Sequence, residues 1–333
     1  MISIGIIGFG YWGPNIVRNF NALEGCTVVA ISDFNPDAMN RARKAYPYIS
    51  VKNDCNDILT SPMIDVVAVV TPVSTHFELA KKALENGKHV FVEKPFTASV
   101  AEAEELIELA ERKKRTIMVD HTFIFTGAVR KIKQLVNEKT LGELYYYDSV
   151  RVNLGLFQHD VNVIWDLAPH DFAVMDHLID EKPAAVSACG KAHVNEHEDM
   201  AYVTVHFRNN MIAHFNVNWL SPVKVRTTLI GGEKKMLVWN DLEADEKLKI
   251  YDKGVEINSK EHKYRMLVNY RTGDMYAPRV EQGEALKRET MYFLNCILEG
   301  KKPINDGHAG LRVVKMLAAC DASLRNSGKE IEL

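Results

Sequence analysis

Residues 2–20 read ISIGIIGFGYWGPNIVRNF, and this stretch constrains the chain more than any other. An apolar run of β-formers, Ile2 to Ile7, leads straight into Gly8, Gly10 and Gly13, after which Ile16, Val17 and Phe20 fall on one side of a helix. The pattern predicts strand, glycine turn, helix. Gly8 lets the chain turn tightly after the strand, Gly10 lets bare backbone approach a pyrophosphate, and Gly13 lets the helix lie close against the strand. The first-turn amides of such a helix have no partner within it and carry the positive end of its dipole, so they suit an anion. Pro14 is tolerated there because the first turn does not use its missing N–H.

A second β-rich run, Thr27 to Ser32, ends on Asp33, at about the distance from the first glycine where a dinucleotide fold places the acid that grips the ribose 2′-hydroxyl. Phe34 and Asn35 follow, so no cation stands beside Asp33 to receive a 2′-phosphate. NAD is therefore favoured over NADP, unless Arg41 or Arg43 folds back. Tyr11, Trp12 and Phe34 are expected around the same mouth.

From there helix and strand alternate in the manner of a doubly wound parallel sheet. Ile64 to Val70 is a continuous apolar run, as expected of a central strand buried on both faces. It ends in Thr71 and Pro72, with Ser74 as predicted N-cap of the next helix and His76 beside it. The strand His89 to Val92 delivers Glu93, Lys94 and Pro95 to the same edge, and Thr116 to Val119 runs into Asp120 and His121. Ligands in such sheets bind beyond the carboxyl ends of the strands, so all these loop residues are expected around the cofactor, His121 either touching it or packing beneath it. The dinucleotide domain is predicted over residues 1–122.

Beyond it the composition changes. Strands with a period of two recur from Leu144 to Tyr251, joined by short loops such as Asn209-Asn210 and Gly231-Gly232. They predict an α/β domain with a large open, mostly antiparallel sheet over residues 123–333; two further helices, Glu281 to Glu299 and one at about 306–326, are expected to pack back on the first domain or across the new sheet. Tyr202, Thr204 and His206 on one strand and Ile212, His214, Asn216 and Asn218 on the next give one face a polar character. That face suits the mating surface of a homodimer or homotetramer, with substrate contact as a second reading. His193 and His197 have the spacing of a metal pair, but they lie in a turn with no third ligand at a recognisable interval, so no metal is expected.

Composition narrows the class. A chain of 333 residues, 47% hydrophobic and 26% charged, suits two globular domains. A net charge of −3 and the lack of a Lys/Arg block argue against nucleic-acid and anionic-membrane partners. A strand starting at residue two leaves no room for a signal peptide, and no run reaches the roughly 20 apolar residues that a membrane helix needs. A cytoplasmic protein is expected, its five scattered cysteines being free thiols.

The candidate chemistry lies in the second domain. An insertion, Asn153 to Asn162, leads into Val163-Ile164-Trp165-Asp166-Leu167-Ala168-Pro169-His170-Asp171, after which Phe172, Met175, Leu178 and Ile179 recur at helical spacing. If the helix already runs at Asp166, Asp166 and His170 share a face, although Pro169 is tolerated only in an opening turn. The carboxylate would then fix the imidazole's orientation and tautomer, leaving its other nitrogen to accept a proton. Dehydrogenating an alcohol needs such a base and a cation to steady the developing alkoxide, and His170 and Lys94 supply both if they converge on one hydroxyl. The alternative is a helix-terminal acid beside a histidine that satisfies a buried backbone group.

G-F-G-Y-W-G at Gly8 to Gly13, T-P-x-x-x-H at Thr71 to His76, Glu93-Lys94-Pro95 and Asp166-x-x-x-His170 together resemble the Gfo/Idh/MocA family of NAD(P)-dependent oxidoreductases, over nearly the whole chain. The resemblance implies a Rossmann domain, an α/β domain with an open antiparallel sheet, a catalytic set of Lys94, Asp166 and His170, and a cis Lys94–Pro95 bond. Gly10 to Asn15, His121-Thr122-Phe123 and Trp165 to Asp171 look like the branch that oxidises a hexose hydroxyl in surface-polysaccharide pathways. Its usual substrate is C3 of UDP-N-acetylglucosamine or the corresponding uronic acid. Val163-Ile164-Trp165 replaces the glycine-rich turn common in the family, which should reshape the sugar pocket. Arg151 first, then Arg271, Asn162 and Trp165, are expected to meet the nucleotide sugar beside Lys94 and His170, because guanidinium forks suit planar oxyanions. Two rivals remain: an NADPH-dependent ketosugar reductase of the same family, and a non-catalytic dinucleotide-sensing regulator.

Overall fold

A computed structural model describes residues 1–155, 157–256 and 269–333. Leu156, inside the expected insertion, lies outside the described residues. The chain divides into two units, Met1–Phe125 with Glu284–Lys315, and Thr126–Gly283 with Met316–Leu333.

In the first unit, β1 (Ile2–Ile7), β2 (Cys26–Ser32), β3 (Ser50–Lys52), β4 (Val66–Val69), β5 (His89–Val92) and β6 (Ile117–Val119) form a parallel sheet in the order β3-β2-β1-β4-β5-β6. Every residue of β4 is fully buried, which is why this strand reads as an unbroken apolar run. Helices α1 (Gly13–Asn21), α2 (Pro36–Ala45), α3 (Asn56–Leu59), α4 (His76–Glu85) and α5 (Val100–Lys113) connect the strands. The Asn35 side chain caps α2 by accepting from the Asp37 amide at 2.8 Å, and Ser99 with Glu102 closes α5 in a capping box. Ser74 caps nothing. A 3₁₀ turn, Val73–Thr75, precedes α4 instead, and the Thr75 hydroxyl turns back onto the Pro72 carbonyl at 2.8 Å.

The second unit opens with α6 (Gly127–Asn137) and carries β7 (Leu144–Leu154), α7 (Val163–Leu178), β8 (Pro183–Lys191), β9 (Met200–Phe207), β10 (Ile212–Asn218), β11 (Leu220–Gly232), β12 (Met236–Asn240), β13 (Leu248–Glu256) and β14 (Asn269–Tyr276). With β15 (Ile331–Glu332) its strands lie in the order β14-β13-β12-β11-β7-β10-β9-β8-β15. The sheet is mostly antiparallel, but β7 and β10 pair in parallel, because α7 and the β8–β9 hairpin return the chain in its original direction between them. Gly231 and Gly232, expected in a hairpin loop, lie inside β11, where a Cβ would fall 2.0 Å from the Tyr146 ring and 2.3 Å from the Leu141 carbonyl oxygen. Side chains from β7, β10 and α7 pack on one face of the sheet, Phe172 meeting Phe215 edge-on at 4.9 Å and Tyr147 lying 5.7 Å from Phe215. On the other face Tyr202 stacks on His214, and His214 Nδ1 lies 3.0 Å from Asp148.

After residue 283 the chain returns to the first unit. Helix α8 (Ala285–Glu299) counts with that unit, and α9 (Gly307–Arg325) is divided between the two at Lys315 and Met316. The sequence leaves the helix at 281–299 between the first domain and the new sheet, and packing decides for the first unit. Phe293 is fully buried with its ring 5.6 Å from Phe91 in β5, and Arg18 on α1 grips Glu284 through bonds of 2.8 and 2.5 Å. The Arg18 hydrogen bonds draw the Glu284 carboxyl down to about 2. Among the described residues no helix is long and apolar enough to cross a membrane. Phe293→Ala is expected to cost about 3–5 kcal/mol, read as a lowered urea midpoint, because it empties a closed site in the first unit's core.

Candidate active site

At the first glycine turn the three glycines meet different surroundings. Gly8 has φ +101°, and a Cβ there would lie 2.1 Å from the Val70 carbonyl oxygen; one at Gly13 would lie 2.6 Å from the carbonyl oxygen of Gly8. Both are excluded sterically. A Cβ at Gly10 would meet nothing within 4 Å, so there the bare backbone faces open space. The helix beyond it, α1, has no side-chain cap and no acid in its first turn, and although the Asn15 amide turns back to the Trp12 carbonyl at 2.9 Å, the positive end of its dipole suits an anion. Asp33 ties this turn to α2: one carboxylate oxygen accepts from the Phe9 amide at 2.6 Å, the other from the Asn35 amide at 2.8 Å. Tyr11 and Phe34 are exposed and Trp12 is nearly half exposed. The open backbone at Gly10 and the carboxylate of Asp33 have the chemistry that a pyrophosphate and a ribose hydroxyl would need.

Two strands away, the loops after β4 and β5 are joined by a histidine. His76, expected to touch the cofactor, is wholly buried, with Nδ1 2.8 Å from the Pro95 carbonyl and Nε2 2.8 Å from the Thr71 carbonyl. It braces the two loops and cannot reach a ligand. Burial pushes its pKa down while the carbonyls oppose that shift, so a neutral ring donates to one of them at a time. Thr71 and Thr75 share a hydroxyl hydrogen bond of 2.7 Å, and Pro72 begins the same turn. The Lys94–Pro95 bond is cis, and the Lys94 amide donates to Glu93 Oε2 at 3.1 Å.

Beneath Lys94 lies a group of acids that periodicity does not reveal. Glu93, Asp120 and Glu289 are all buried, and Glu93 and Glu289 each hydrogen-bond Asp120. Thr122 also donates to Asp120, and Asn305 Nδ2 donates to Glu289 at 2.9 Å. Burial first, and then the charge of Asp120, push the Glu93 and Glu289 carboxyls well above the usual range, which favours their protonated forms. His121 is buried at the end of β6.

In the second unit, α7 begins earlier than Pro169 suggested. Asn162 is its N-cap, the side-chain oxygen accepting from the Ile164 and Trp165 amides at 3.1 Å each. Pro169 therefore falls inside the helix and withdraws the N–H that would have met the Trp165 carbonyl. Asp166 and His170, both partly exposed, stand one turn apart on the same face. Asp166 accepts from the Trp219 indole N–H at 3.0 Å.

Four residues expected to meet substrate are engaged elsewhere. Arg151 is 5% exposed and binds Asp171 through Nε at 2.7 Å and Nη2 at 3.0 Å, so it is a buried ion pair under α7. Arg271 lies on β14, separated by β13, β12 and β11 from β7, with its guanidinium on Asp252 and the Lys234 carbonyl. Asn162 and Trp165 fasten the helix start to α9: both donate to Asp321, at 3.1 and 2.8 Å. Burial raises the Asp321 carboxyl above its usual range, against the pull of those two donors. His193 likewise holds Asp199, Nδ1 to Oδ1 at 2.7 Å.

Residues 2–121 match the oxidoreductase family with an NAD-binding Rossmann fold, and residues 129–238 match the Gfo/Idh/MocA C-terminal domain. The chain belongs to the Gfo/Idh/MocA family. As in that family, its first unit is an NAD-binding Rossmann domain, with Lys94 at the carboxyl end of β5; Asp166 and His170 fall within the C-terminal domain match. YdgJ of Escherichia coli K12, an uncharacterised oxidoreductase, is 32% identical over 183 residues, 51% of each protein, so the chain spans about half the length of that relative. The UDP-N-acetylglucosamine 3-dehydrogenase of Acidithiobacillus ferrooxidans is 27% identical over 93% of both chains. A solved structure of that name and organism, GnnA, superposes with a TM-score of 0.81 at 24% identity over 98% of each chain. The NAD-dependent scyllo-inositol 2-dehydrogenase of Bacillus subtilis is 24% identical over 100% of this chain and 95% of its own.

Two outcomes follow from the Rossmann unit. Glu289 keeps its proton in the fold where the unfolded chain has lost it, so its contribution is complete below the ordinary glutamate range and is lost as pH rises through the folded value. Glu289→Gln, uncharged at every pH, should therefore melt above wild type at about pH 8 and close to it at about pH 5, by thermal scans across that range. Asp33→Ser should narrow the preference for NAD over NADP by about tenfold in titrated Kd, since the carboxylate no longer repels a 2′-phosphate.

Proposed function

We propose that this protein oxidises a hexose hydroxyl of a nucleotide sugar, C3 of UDP-N-acetylglucosamine or the corresponding uronic acid, with NAD as acceptor. The observation that carries the reading is the Asp166–His170 pair, set one turn apart on the partly exposed face of α7 with the carboxylate held by an indole. The choice of a nucleotide sugar rests on the likeness to the Acidithiobacillus enzyme over 93% of both chains. His170 takes the hydroxyl proton, Asp166 fixes the tautomer of the imidazole, and Lys94 steadies the oxyanion as it forms. NAD, when bound, accepts the hydride from the carbinol carbon, which leaves a ketone. Arg151 and Arg271 have no part in this scheme. The polar face of the second sheet, with Tyr202 and His214 upon it, serves as the mating surface of a homodimer or homotetramer, and the enzyme works in the cytoplasm on surface-polysaccharide precursors.

Purified protein incubated with NAD⁺ and UDP-N-acetylglucosamine, its uronic acid or scyllo-inositol tests the substrate class. Because retained NADH can hide turnover, α-ketoglutarate is added as electron acceptor. Ketosugar is expected from a nucleotide sugar, and turnover of scyllo-inositol alone would refute the assignment. His170→Ala should lower kcat about 10²–10⁴-fold while leaving NAD affinity intact.

A further inference from the structure

We propose that Trp219 is a positioning residue: its indole N–H clamps one oxygen of the Asp166 carboxylate and so turns the other toward the face shared with His170. The inference rests on the catalytic reading of Asp166 and His170 given above. Trp219 follows β10 and is 1% exposed, and its Nε1 lies 3.0 Å from Asp166 Oδ2. An indole offers one donor and no acceptor, so at this buried site it can only serve a group that accepts.

The indole is itself held on several sides. The Trp219 amide donates to the Asp199 carbonyl at 2.9 Å, and the Trp219 carbonyl accepts from the Gly155 amide at 3.1 Å. Phe157, from the insertion before α7, tilts against the ring at 5.4 Å between centroids, and a Cβ on Gly155 would press on Trp219 Cδ1 at 3.0 Å. The same short segment anchors the helix: the Val163 amide donates to the Glu198 carbonyl at 2.9 Å, next to the Asp199 that holds Trp219. Asp199 is fully buried, and its carboxylate accepts from the His193 and Val194 amides at 2.6 and 3.0 Å. Donor and acceptor are thus built on one frame, and the carboxylate cannot swing away from the indole without leaving a buried N–H donor unpaired. A carboxylate that can rotate presents the imidazole with a variable partner, and outer partners of this kind are commonly worth about 10–100-fold in activity.

Trp219→Phe keeps an aromatic ring against Phe157 while removing the donor, at the cost of the indole's second ring. It is expected to lower kcat about 10–100-fold with KM for NAD⁺ unchanged. A carboxylate deprived of an N–H donor holds a neighbouring imidazolium more tightly, so the acid limb of the kcat/KM profile should move to higher pH. A purely structural role would leave that limb in place. The four tryptophans give four indole N–H resonances, and the one assigned to Trp219 should move in Asp166→Asn. This measurement decides the matter even if Trp219→Phe fails to fold. An unmoved Trp219 resonance, or an unaltered kcat and pH profile in Trp219→Phe alongside a crippled Asp166→Asn, overturns the inference and leaves the catalytic reading standing. Unimpaired turnover in Asp166→Asn removes the catalytic reading, and the positioning role falls with it.

Discussion

Backbone touching backbone at the first turn is the constraint on which the NAD-binding half depends. The chain at Gly8 passes so near the carbonyl of Val70 that no side chain fits, and Gly13 sits as tightly over Gly8. These contacts bring the start of α1 to the carboxyl edge of the sheet, where neither a capping side chain nor an acid occupies the first turn to oppose an anion. The surroundings of that edge are then held by buried polar groups. His76 bridges the loops beyond β4 and β5, and the buried Glu93 and Glu289 carboxyls each hydrogen-bond Asp120. Carboxyls that favour their protonated forms support the lysine loop at lower desolvation cost than three separate buried charges would.

The C-terminal domain separates its polar groups by the pitch of one helix. On α7, Asp171 turns inward to a bidentate partner in Arg151, while its neighbour His170 and, one turn earlier, Asp166 remain partly exposed. The inward pair locks the helix to β7. The Asn162 and Trp165 bonds to Asp321 lock its beginning to α9, and Trp219 fixes the carboxylate that stays at the surface. Fixing a reacting group through neighbours that are themselves packed is how a site keeps its geometry without losing stability to motion.

Local signals were legible from the amino-acid order. Strand, glycine turn and helix at the start, the buried run of β4, the alternation of the second sheet and the one-turn spacing of Asp166 and His170 each depend on residues close in the chain, where periodicity and backbone sterics act directly. Less legible was whether a given polar residue faces a ligand or the interior. Arg151, Arg271, Asn162, Trp165 and His76 have the chemistry of ligands, and each has a structural partner instead.

The physical reason lies in chain separation. The sequence by itself determined the parallel order of the first domain, its dinucleotide turn and the polar pair on α7, because those follow from conformations that neighbouring residues impose on one another. Only the tertiary structure decided between the two packings open to α8, that β7 and β10 run parallel, and that Asp166 is clasped by Trp219, 53 residues away. A buried polar group must find its partner wherever the fold supplies one, and an indole after a strand reads as plain core until the acceptor beside it is known.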